Sequence, residues 1–530
     1  MKTAIWNRVV LGSTLLLFWG CSTSAAVSTA TSTSPQLFTF EPTSERQVLQ
    51  SKATGYLAAL LADPANAEVT LVKVNPALVS QHTQNLAVDL PGGKATVFQR
   101  RSLNSTGSDI EGWVGYVPSS WKQSHSAGAA EINDDPLYYL SIVRQGEELF
   151  GRIVVDGQPY RLDYVGSGQH ALIKVDESKL PPDGAPVMLQ GAERADSAVE
   201  KAPLSSHSTI RVLLVSTMQA REKRPNYKLE MTQALQDANQ YFINSRVNVT
   251  YELAGLYDAD YDETNQSSTA QLNSLKDPNH PLGKAVYVKR DALRADLVSM
   301  YSTVTNVCGQ AINQRTKEGG YSIFSCSIAL AHELGHNFGG GDGWKPSPPE
   351  NNYRNGYKHE SAPVFHTRMV TSHGALGYFS NPRISYQNIP MGTDRHDMAR
   401  QIDDQRETVE NYYPPYQNQT RVTVYDDVAM KGDSCTFEVP STQTVVLIDD
   451  VCPGGWKTKI WSARVQGIGA NTTLRLGNEN ASHTYRSNYY VGDFDISTLT
   501  AFKIEVPDGM IMEPSPGNLS RRVDRVTIQR

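Results

Sequence analysis

The sequence predicts a multidomain protein in which an α/β region lies between two β-rich regions. Its 530 residues exceed the usual size of one domain, and about 150 residues per domain gives three or four units. Short strand-like runs dominate up to residue 187, helical and strand patterns alternate from 210 to 338, and β-rich sequence returns after Pro414-Pro415. The expected boundaries are 1–21 for a signal peptide, 22–206 for a flexible tether and a β-rich domain, 207–416 for the α/β domain and 420–530 for an all-β domain.

The charge pattern does not point to a nucleic-acid partner. The formal charge of -6 arises from 49 basic and 55 acidic side chains that are spread along the chain rather than gathered in blocks. Hydrophobic residues make up 39% of the sequence, an ordinary share for a globular protein with a sizeable core. These properties leave the oligomeric state open.

The N-terminus has the features of an export signal. Lys2 and Arg8 precede an apolar run over residues 9–18 that is too short to span a bilayer and fits the core of a signal peptide. We therefore expect a secreted or cell-surface bacterial protein.

Two ways of processing this signal remain open. Gly20-Cys21 suits cleavage before Cys21 with lipid attachment, although Phe18 and Trp19 depart from the aliphatic and small residues of a lipobox. Cleavage after the small residues near Ala26 is the alternative. Cys21 is thus a candidate lipidation site, and a lipid anchor would be the protein's contact with a membrane.

The other four cysteines form two close pairs in the sequence. Cys308 with Cys326, and Cys435 with Cys452, are expected to form local disulfides in an oxidising compartment. Buried free thiols are the alternative.

The N-terminal region reads as a series of β-strands. Strand-like runs cover residues 138–143, 149–155 and 158–164, and Asp156-Gly157 is expected to join the last two as a tight hairpin. The segment Pro181-Pro182-Asp183-Gly184 and the polar stretch 193–208 are then expected to be a linker.

The central region alternates between strands and helices. The patterns predict strands over 210–215 and 247–253, and helices over 229–244, 291–301 and 328–338, the last of them ended by Gly339-Gly340-Gly341.

The third helix carries an HExxH motif. His332 and His336 are four residues apart, so both imidazoles lie on one helix face and can reach one tetrahedral zinc ion. Glu333 lies beside them, where its carboxylate can hold a water molecule on the metal and act as general base. A bare HExxH arises by chance in roughly one chain of this length in a hundred, and requiring Gly339 and Asp342 lowers that by about another hundredfold. The structural alternative is a buried helix whose histidines make ordinary hydrogen bonds.

Around this motif the sequence resembles the metzincin clan of zinc endopeptidases, and within it bacterial proteins of the reprolysin or adamalysin type. The clan motif is HExxHxxGxxH, and Gly339 has the place of its glycine. Asp342 stands where most of the clan has histidine, a variant that also occurs in the snapalysin-like branch. The resemblance implies that Asp342 is the third ligand of one catalytic Zn²⁺. Should Asp342 be only a turn residue, the substitute ligand would be His359, His366 or His373.

The resemblance covers about residues 210–416 and implies further features. Metzincins have a methionine on a turn below the metal, and Met369 has a suitable position, followed by 378–382, which is similar to the segment after this turn in bacterial reprolysin-like enzymes. The implied activity is hydrolysis of peptide bonds in extracellular proteins, with Glu333 taking a proton from water on the zinc and passing it to the leaving amine.

The N-terminal β-rich region is faintly similar to the pro-domains of reprolysin-like enzymes, which implies a zymogen. No cysteine lies between residues 22 and 307, so a cysteine switch is excluded and latency would need a carboxylate, a histidine or steric blockage. A permanent accessory domain is the alternative.

The C-terminal region resembles a βγ-crystallin Greek key. Tyr425, Gly432 and Ser434 match the aromatic, glycine and serine positions of its signature. Calcium is possible there but unsupported, because Lys457, Thr458 and Trp461 occupy positions where calcium-binding members have mostly oxygen ligands.

A non-proteolytic protein is the alternative from another class. The protein could be a surface binding protein or adhesin that keeps a zinc scaffold without turnover. The presence of Glu333 argues against it, because a purely structural zinc site needs no base.

Overall fold

The computed structural model describes most of the chain between Ser34 and Gln529. The described residues are 34–41, 46–80, 82–93, 95–105, 110–188, 205–349, 352–413, 420–439, 446–452, 454–468, 473–477, 482–487, 492–496, 510–514, 523 and 525–529. The expected signal peptide, Cys21 and most of the tether lie outside these ranges. Contacts group Pro35–Arg530 into one unit. No helix of the described residues is long and apolar enough to cross a bilayer.

The N-terminal region is built on one antiparallel sheet with the strand order β1-β2-β9-β8-β7-β6-β5-β4-β3. Its strands are β1 (Phe38–Phe40), β2 (Asn66–Val74), β3 (Asn85–Val88), β4 (Thr96–Ser105), β5 (Glu111–Pro118), β6 (Asp134–Gln145), β7 (Glu148–Val155), β8 (Gln158–Gly166) and β9 (Gln169–Val175), with helices α1 (Arg46–Lys52), α2 (Gly55–Ala62) and α3 (Ser120–Ser124). The three predicted strands and their hairpin are confirmed: Asp156 and Gly157 have φ of 52° and 75°, as a two-residue hairpin turn requires.

The central region is a five-stranded sheet with helices on both faces, in the order β11-β10-β12-β14-β13. Its elements are β10 (Ser208–Ser216), α4 (Met218–Lys223), α5 (Tyr227–Asn244), β11 (Val249–Asp258), α6 (Ser268–Lys276), α7 (Pro281–Leu293), β12 (Leu297–Tyr301), β13 (Gly309–Ala311), β14 (Tyr321–Phe324) and α8 (Leu330–Asn337). Four strands run parallel, and the edge strand β13 runs antiparallel to β14. The inner strands are apolar runs because helices cover both faces of the sheet.

The helix predicted over 291–301 is wrong. Helix α7 ends at Leu293, because Arg294 adopts a left-handed conformation with φ of 49°, and the following Leu297–Tyr301 is a fully buried strand. A short apolar run is compatible with either a buried strand or a helix, and here the sheet determines the outcome.

The linker predicted at residues 181–184 is also wrong. This segment lies along the outer edge of β13, where the Gly184 N–H donates to the Gly309 carbonyl at 2.9 Å and the Cys308 N–H donates to the Pro182 carbonyl at 2.8 Å. Val187 pairs with Ile312 in parallel orientation. Residues 182–187 therefore occupy the free edge of the central sheet. Residues 189–204 lie outside the described residues.

Beyond α8 the chain forms small hairpins and one further helix. These are β15 (Lys358–His359), β16 (Phe365–His366), β17 (Asn381–Tyr386), β18 (Ile389–Met391) and α9 (Met398–Glu410). Met398, Ala399 and Ile402 of α9 join the core that contains α5 and α8.

The C-terminal region consists of two antiparallel sheets that share a core. One has the order β20-β19-β22-β25 and the other β21-β27-β23-β24-β26. The elements are β19 (Thr420–Tyr425), β20 (Ser434–Val439), β21 (Val446–Leu447), α10 (Ile448–Val451), β22 (Ser462–Ile468), β23 (Thr473–Gly477), β24 (Ser482–Ser487), β25 (Gly492–Ile496), β26 (Met510–Pro514) and β27 (Arg525–Gln529). The protein is thus β-rich and multi-sheeted with some helices. Both predicted disulfides, Cys308–Cys326 and Cys435–Cys452, are present.

Candidate active site

Helix α8 carries the HExxH motif in a buried position. His332 is 3% exposed, and Glu333 and His336 are fully buried. The helix starts directly after β14 and a single 3-10 turn (Ser327–Ala329), so the sheet fixes where its first turn lies. The helix runs beside edge strand β13, since Glu333 lies against Gly309 and Asn337 donates to the carbonyl of Ile312.

Three ligand-type atoms converge at this helix. The Nε2 atoms of His332 and His336 are 3.1 Å apart, and each is 3.1 Å from Oδ1 of Asp342. Donors about 2.1 Å from a common tetrahedral zinc ion are roughly 3.4 Å from one another. The three residues therefore fit one zinc ion, and together they form a group able to hold a metal.

A glycine turn brings Asp342 back to the helix. Gly339 has φ of +86°, a left-handed conformation that ends the helix and that residues with a side chain rarely adopt. In the same turn, Nδ1–H of His336 donates to the Gly340 carbonyl at 2.8 Å. This hydrogen bond directs the proton to Nδ1 and leaves Nε2 free to bind a metal.

Electrostatics favour the ionised form of Asp342. Burial acts to raise the pKa of Asp342, but hydrogen bonds from His332 and His336 and their charges outweigh burial and hold the pKa below its usual range. A carboxylate kept ionised is the form that binds a cation.

Glu333 is buried with neither carboxylate oxygen hydrogen-bonded. Buried polar atoms are normally satisfied, so these two oxygens indicate a place for a water molecule or a ligand beside the metal site. Burial raises the pKa of Glu333 well above its usual value, and the negative charges of Asp183 and Asp342 raise it further. The side chain lies against the edge strand, because a Cβ on Gly309 would be 2.5 Å from Glu333 Oε1.

Met369, the candidate turn methionine, packs against helix α8. It is fully buried, and a Cβ on Gly335 would come within 2.6 Å of its sulfur. Its φ of 74° is unusual for a residue with a side chain. The Gly343 N–H donates to the Met369 carbonyl at 2.7 Å, so the methionine turn also supports the loop that carries Asp342.

Two residues beside helix α8 were not predicted from the sequence. Asn337 donates to the carbonyls of Ile312 and Gly319 at 3.0 and 3.1 Å, which ties the end of α8 to the sheet. Asp183, expected in a linker, lies with Oδ2 3.8 Å from Nδ1 of His332. Asn337, adjacent to the motif, could have been noticed; no local pattern marks Asp183.

The alternative third ligands do not join this cluster. Nε2 of His366 lies 2.9 Å from the Ser372 carbonyl, His359 packs beside Phe365 with 5.6 Å between ring centroids, and His373 is near enough to Glu177 for its charge to lower the pKa of that carboxyl. The geometry thus favours Asp342.

Curated proteins similar to this chain are metalloendopeptidases, and together with the site they identify it as an enzyme of the metallopeptidase class. One relative, the peptidyl-Asp metalloendopeptidase of Stenotrophomonas maltophilia strain R551-3, is 29% identical over 393 residues, which cover 69% of this chain and 90% of the relative. The peptidyl-Asp metalloendopeptidase of Xanthomonas campestris pv. campestris is 27% identical over 352 residues, covering 63% and 83%.

Other comparisons are weaker. No family model matches the chain. The crystal structure of metalloproteinase-II from Bacteroides fragilis is similar with a TM-score of 0.34 and 11% identity, over 56% of this chain and 86% of that one. This similarity is too low to bear on fold or activity.

Proposed function

We propose that this protein is an exported zinc-dependent endopeptidase of the metzincin type that hydrolyses extracellular proteins. The observation that supports it most strongly is the convergence of His332, His336 and Asp342 beside the buried, unpartnered carboxylate of Glu333. A structural zinc site would have four protein ligands and no base.

The residues around the site have separate tasks in this reaction. The three ligands would hold the Zn²⁺, which when bound supplies Lewis acidity to a water molecule and to the scissile carbonyl. Glu333 accepts a proton from the attacking water and later delivers it to the leaving amine. Edge strand β13 offers backbone hydrogen bonds to an extended peptide, which aligns the scissile bond.

A chelator experiment tests this proposal. Cleavage of casein by the purified protein should disappear with phenanthroline and return when zinc is added, because removing the ion removes the Lewis acid. If instead the protein cuts nothing and only binds surface ligands, the adhesin interpretation is correct. Cleavage that persists after complete metal removal contradicts both.

We further propose that residues 34–188 act as a pro-region. Their sheet covers a face of α5 whose side chains are polar, with Tyr139 donating to Asp237 at 2.6 Å, Gln236 to Ser141 at 2.9 Å and Asn244 to Tyr116 at 2.8 Å. A hydrogen-bonded interface of this kind can be solvated when the partner leaves, whereas a permanent domain interface is usually more apolar. This polar face favours a removable region over a permanent accessory domain.

The proposed latency depends on the segment that lies along β13. It occupies the edge where a substrate would bind and places the carboxylate of Asp183 beside His332, with its side chain only 11% exposed. The negative charge of Asp183 raises the pKa of Glu333, and the segment blocks the edge where a substrate would bind, so a cysteine is not needed.

Replacing Asp183 by alanine should therefore make the full chain less latent. We expect peptide cleavage by the unprocessed chain to rise about tenfold, equivalent to losing one favourable contact of about 1.4 kcal/mol. Initial rates are measured together with intact mass, which shows whether the chain is still whole. Glu147→Gln, an exposed charge change in the same region, is the control, and equal rates for D183A and wild type contradict the proposal.

We also propose export for the N-terminal signal and a module type for the C-terminal region. The sequence of residues 1–21 supports secretion or attachment at the cell surface, which mass spectrometry of the mature protein would test at Cys21. We propose that the two C-terminal sheets form a βγ-crystallin-like module. Tyr425 is buried, and Gly432 has φ of 77°, as the folded hairpin of that motif requires.

A further inference from the structure

We infer that Arg368 recognises an acidic substrate side chain in a pocket that it lines with Gly374 and Tyr378, and that Glu177 of the pro-region occupies this pocket in the full chain. Nη1 of Arg368 lies 3.5 Å from the carbonyl of Ile328, in the turn that leads into helix α8. The inference rests on the proposed function and goes beyond it by naming the residue that selects the substrate. It is consistent with the peptidyl-Asp preference in the names of the curated relatives.

Arg368 is a buried cation without a fixed ion-pair partner of its own. It is 7% exposed and directly precedes Met369, the methionine beneath the metal helix. Its Nη2 donates to the Tyr241 hydroxyl at 3.2 Å, and the guanidinium lies 4.7 Å from the centroid of the Tyr241 ring. Its Nε has no hydrogen-bond partner, and among the described residues no carboxylate of 205–413 forms an ion pair with it. A buried guanidinium in this state is well suited to bind a carboxylate.

Glu177 brings a carboxylate from the pro-region into the cavity that Arg368 lines. Its side chain is 11% exposed and pairs with Arg152 at 3.2 Å, while its Oε2 accepts a hydrogen bond from the Gly374 N–H at 2.9 Å. Burial alone would raise the pKa of Glu177, but the charges of Arg152 and Arg368 and the Gly374 hydrogen bond lower it overall. Both sides of the contact therefore stabilise an ionised carboxylate.

Arg152 belongs to the pro-region, but Arg368 and Gly374 belong to the catalytic region. When the pro-region leaves, Arg152 and Glu177 leave together, and the buried Arg368 keeps its charge. A cavity of ≈ 90 Å³ lies here between the two regions: Arg368, Gly374, Leu376 and Tyr378 line it from the catalytic region, and Arg152, Glu177 and further residues of the pro-region line its other side. On the catalytic side, the Arg368 cation and the Gly374 N–H lie beside Leu376 and Tyr378, a combination that suits a short acidic side chain.

The direction of the chain places this pocket relative to the scissile bond. Residues 182–187 run parallel to β13, and Asp183 of this segment lies beside His332. Glu177 therefore lies N-terminal to the residue beside the metal. A peptide bound antiparallel to β13 would have the opposite order, so its acidic residue would follow the scissile bond.

The test compares Arg368→Gln and Arg368→Lys with wild type. Limited trypsin digestion at Arg194 or Lys201 separates the pro-region, and peptides that differ only as Asp or Asn at one position serve as substrates. We expect R368Q to lower the Asp-to-Asn ratio of kcat/KM by about 100-fold, and R368K to give an intermediate ratio, because lysine keeps the charge but loses the planar fork. Lys284→Gln, which removes an exposed charge on α7, should leave the ratio unchanged.

A binding measurement separates this inference from the proposed function. In a Glu333→Gln background, fluorescence polarisation of the same labelled peptides should show preference for Asp that R368Q abolishes. If wild type cuts peptides in a chelator-sensitive way but R368Q keeps its preference, the assignment of Arg368 is wrong and the proposed function stands. If no form cuts any peptide while Asp binding still depends on Arg368, the proposed function is wrong and the pocket assignment stands. Equal binding of the Asp and Asn peptides to the Glu333→Gln protein overturns the inference. This result does not depend on whether R368Q folds.

Discussion

Glutamine in place of Glu333 should lower kcat by about 10²- to 10⁴-fold, the usual contribution of general acid–base catalysis. The amide has nearly the same shape but cannot accept the proton of the attacking water. Neither carboxylate oxygen of Glu333 is hydrogen-bonded, and burial disfavours its charge, so the neutral amide should not destabilise the fold. The measurement is kcat on a defined peptide, with metal content by mass spectrometry and the unfolding temperature as companions.

The control for this variant is Glu222→Gln, an equivalent change at an exposed position. It should retain wild-type kcat and metal content. A Glu333→Gln protein that keeps its metal and still turns over within tenfold of wild type would show that Glu333 is not the base.

Alanine at position 342 should remove the metal from the purified protein. Asp342 Oδ1 lies 3.1 Å from each histidine Nε2, so its loss leaves two ligands and opens the site to water. Because even indirect partners of metal ligands contribute about 10- to 100-fold to metal affinity, we expect a loss of more than about 100-fold. Zinc affinity is measured by competition with a chromophoric chelator, and cleavage activity should fall with zinc occupancy.

Two matched variants make this test specific. Asp394→Ala alters an exposed aspartate further along the chain and should bind zinc normally. Asp342→His should restore zinc binding, because imidazole is an equivalent ligand. Unchanged affinity in Asp342→Ala would indicate that another residue completes the site.

The metal cluster could be predicted because its geometry is local. His332 and His336 are one helical turn apart, and a glycine turn returns the chain to Asp342 within six residues of His336, so the sequence spacing nearly determines the positions. The structure brings these three side chains together as expected. Both disulfides could likewise be predicted, because they join cysteines close in sequence.

The parts that could not be predicted depend on distant contacts. Glu177 meets Gly374 across 197 positions, and no pattern near either residue indicates the other. Pro181-Pro182-Asp183-Gly184 has the composition of a turn, yet the free edge of β13 holds it extended, because backbone hydrogen bonds of an edge strand accept almost any sequence. The helix predicted over 291–301 is wrong for a related reason. Strand β12 is buried on both faces, and such burial removes the alternation of polar and apolar residues that distinguishes a strand.

The position of the Cys308–Cys326 disulfide has a consequence for the cell that makes this protein. It closes a span of 18 residues and fastens the start of the edge strand to the turn that leads into the metal helix. Thiols stay reduced in most cytosols, so this disulfide would not form while the chain is still in the cytosol. With the proposed export, the link between the edge strand and the turn before the metal helix would form only outside the cytosol.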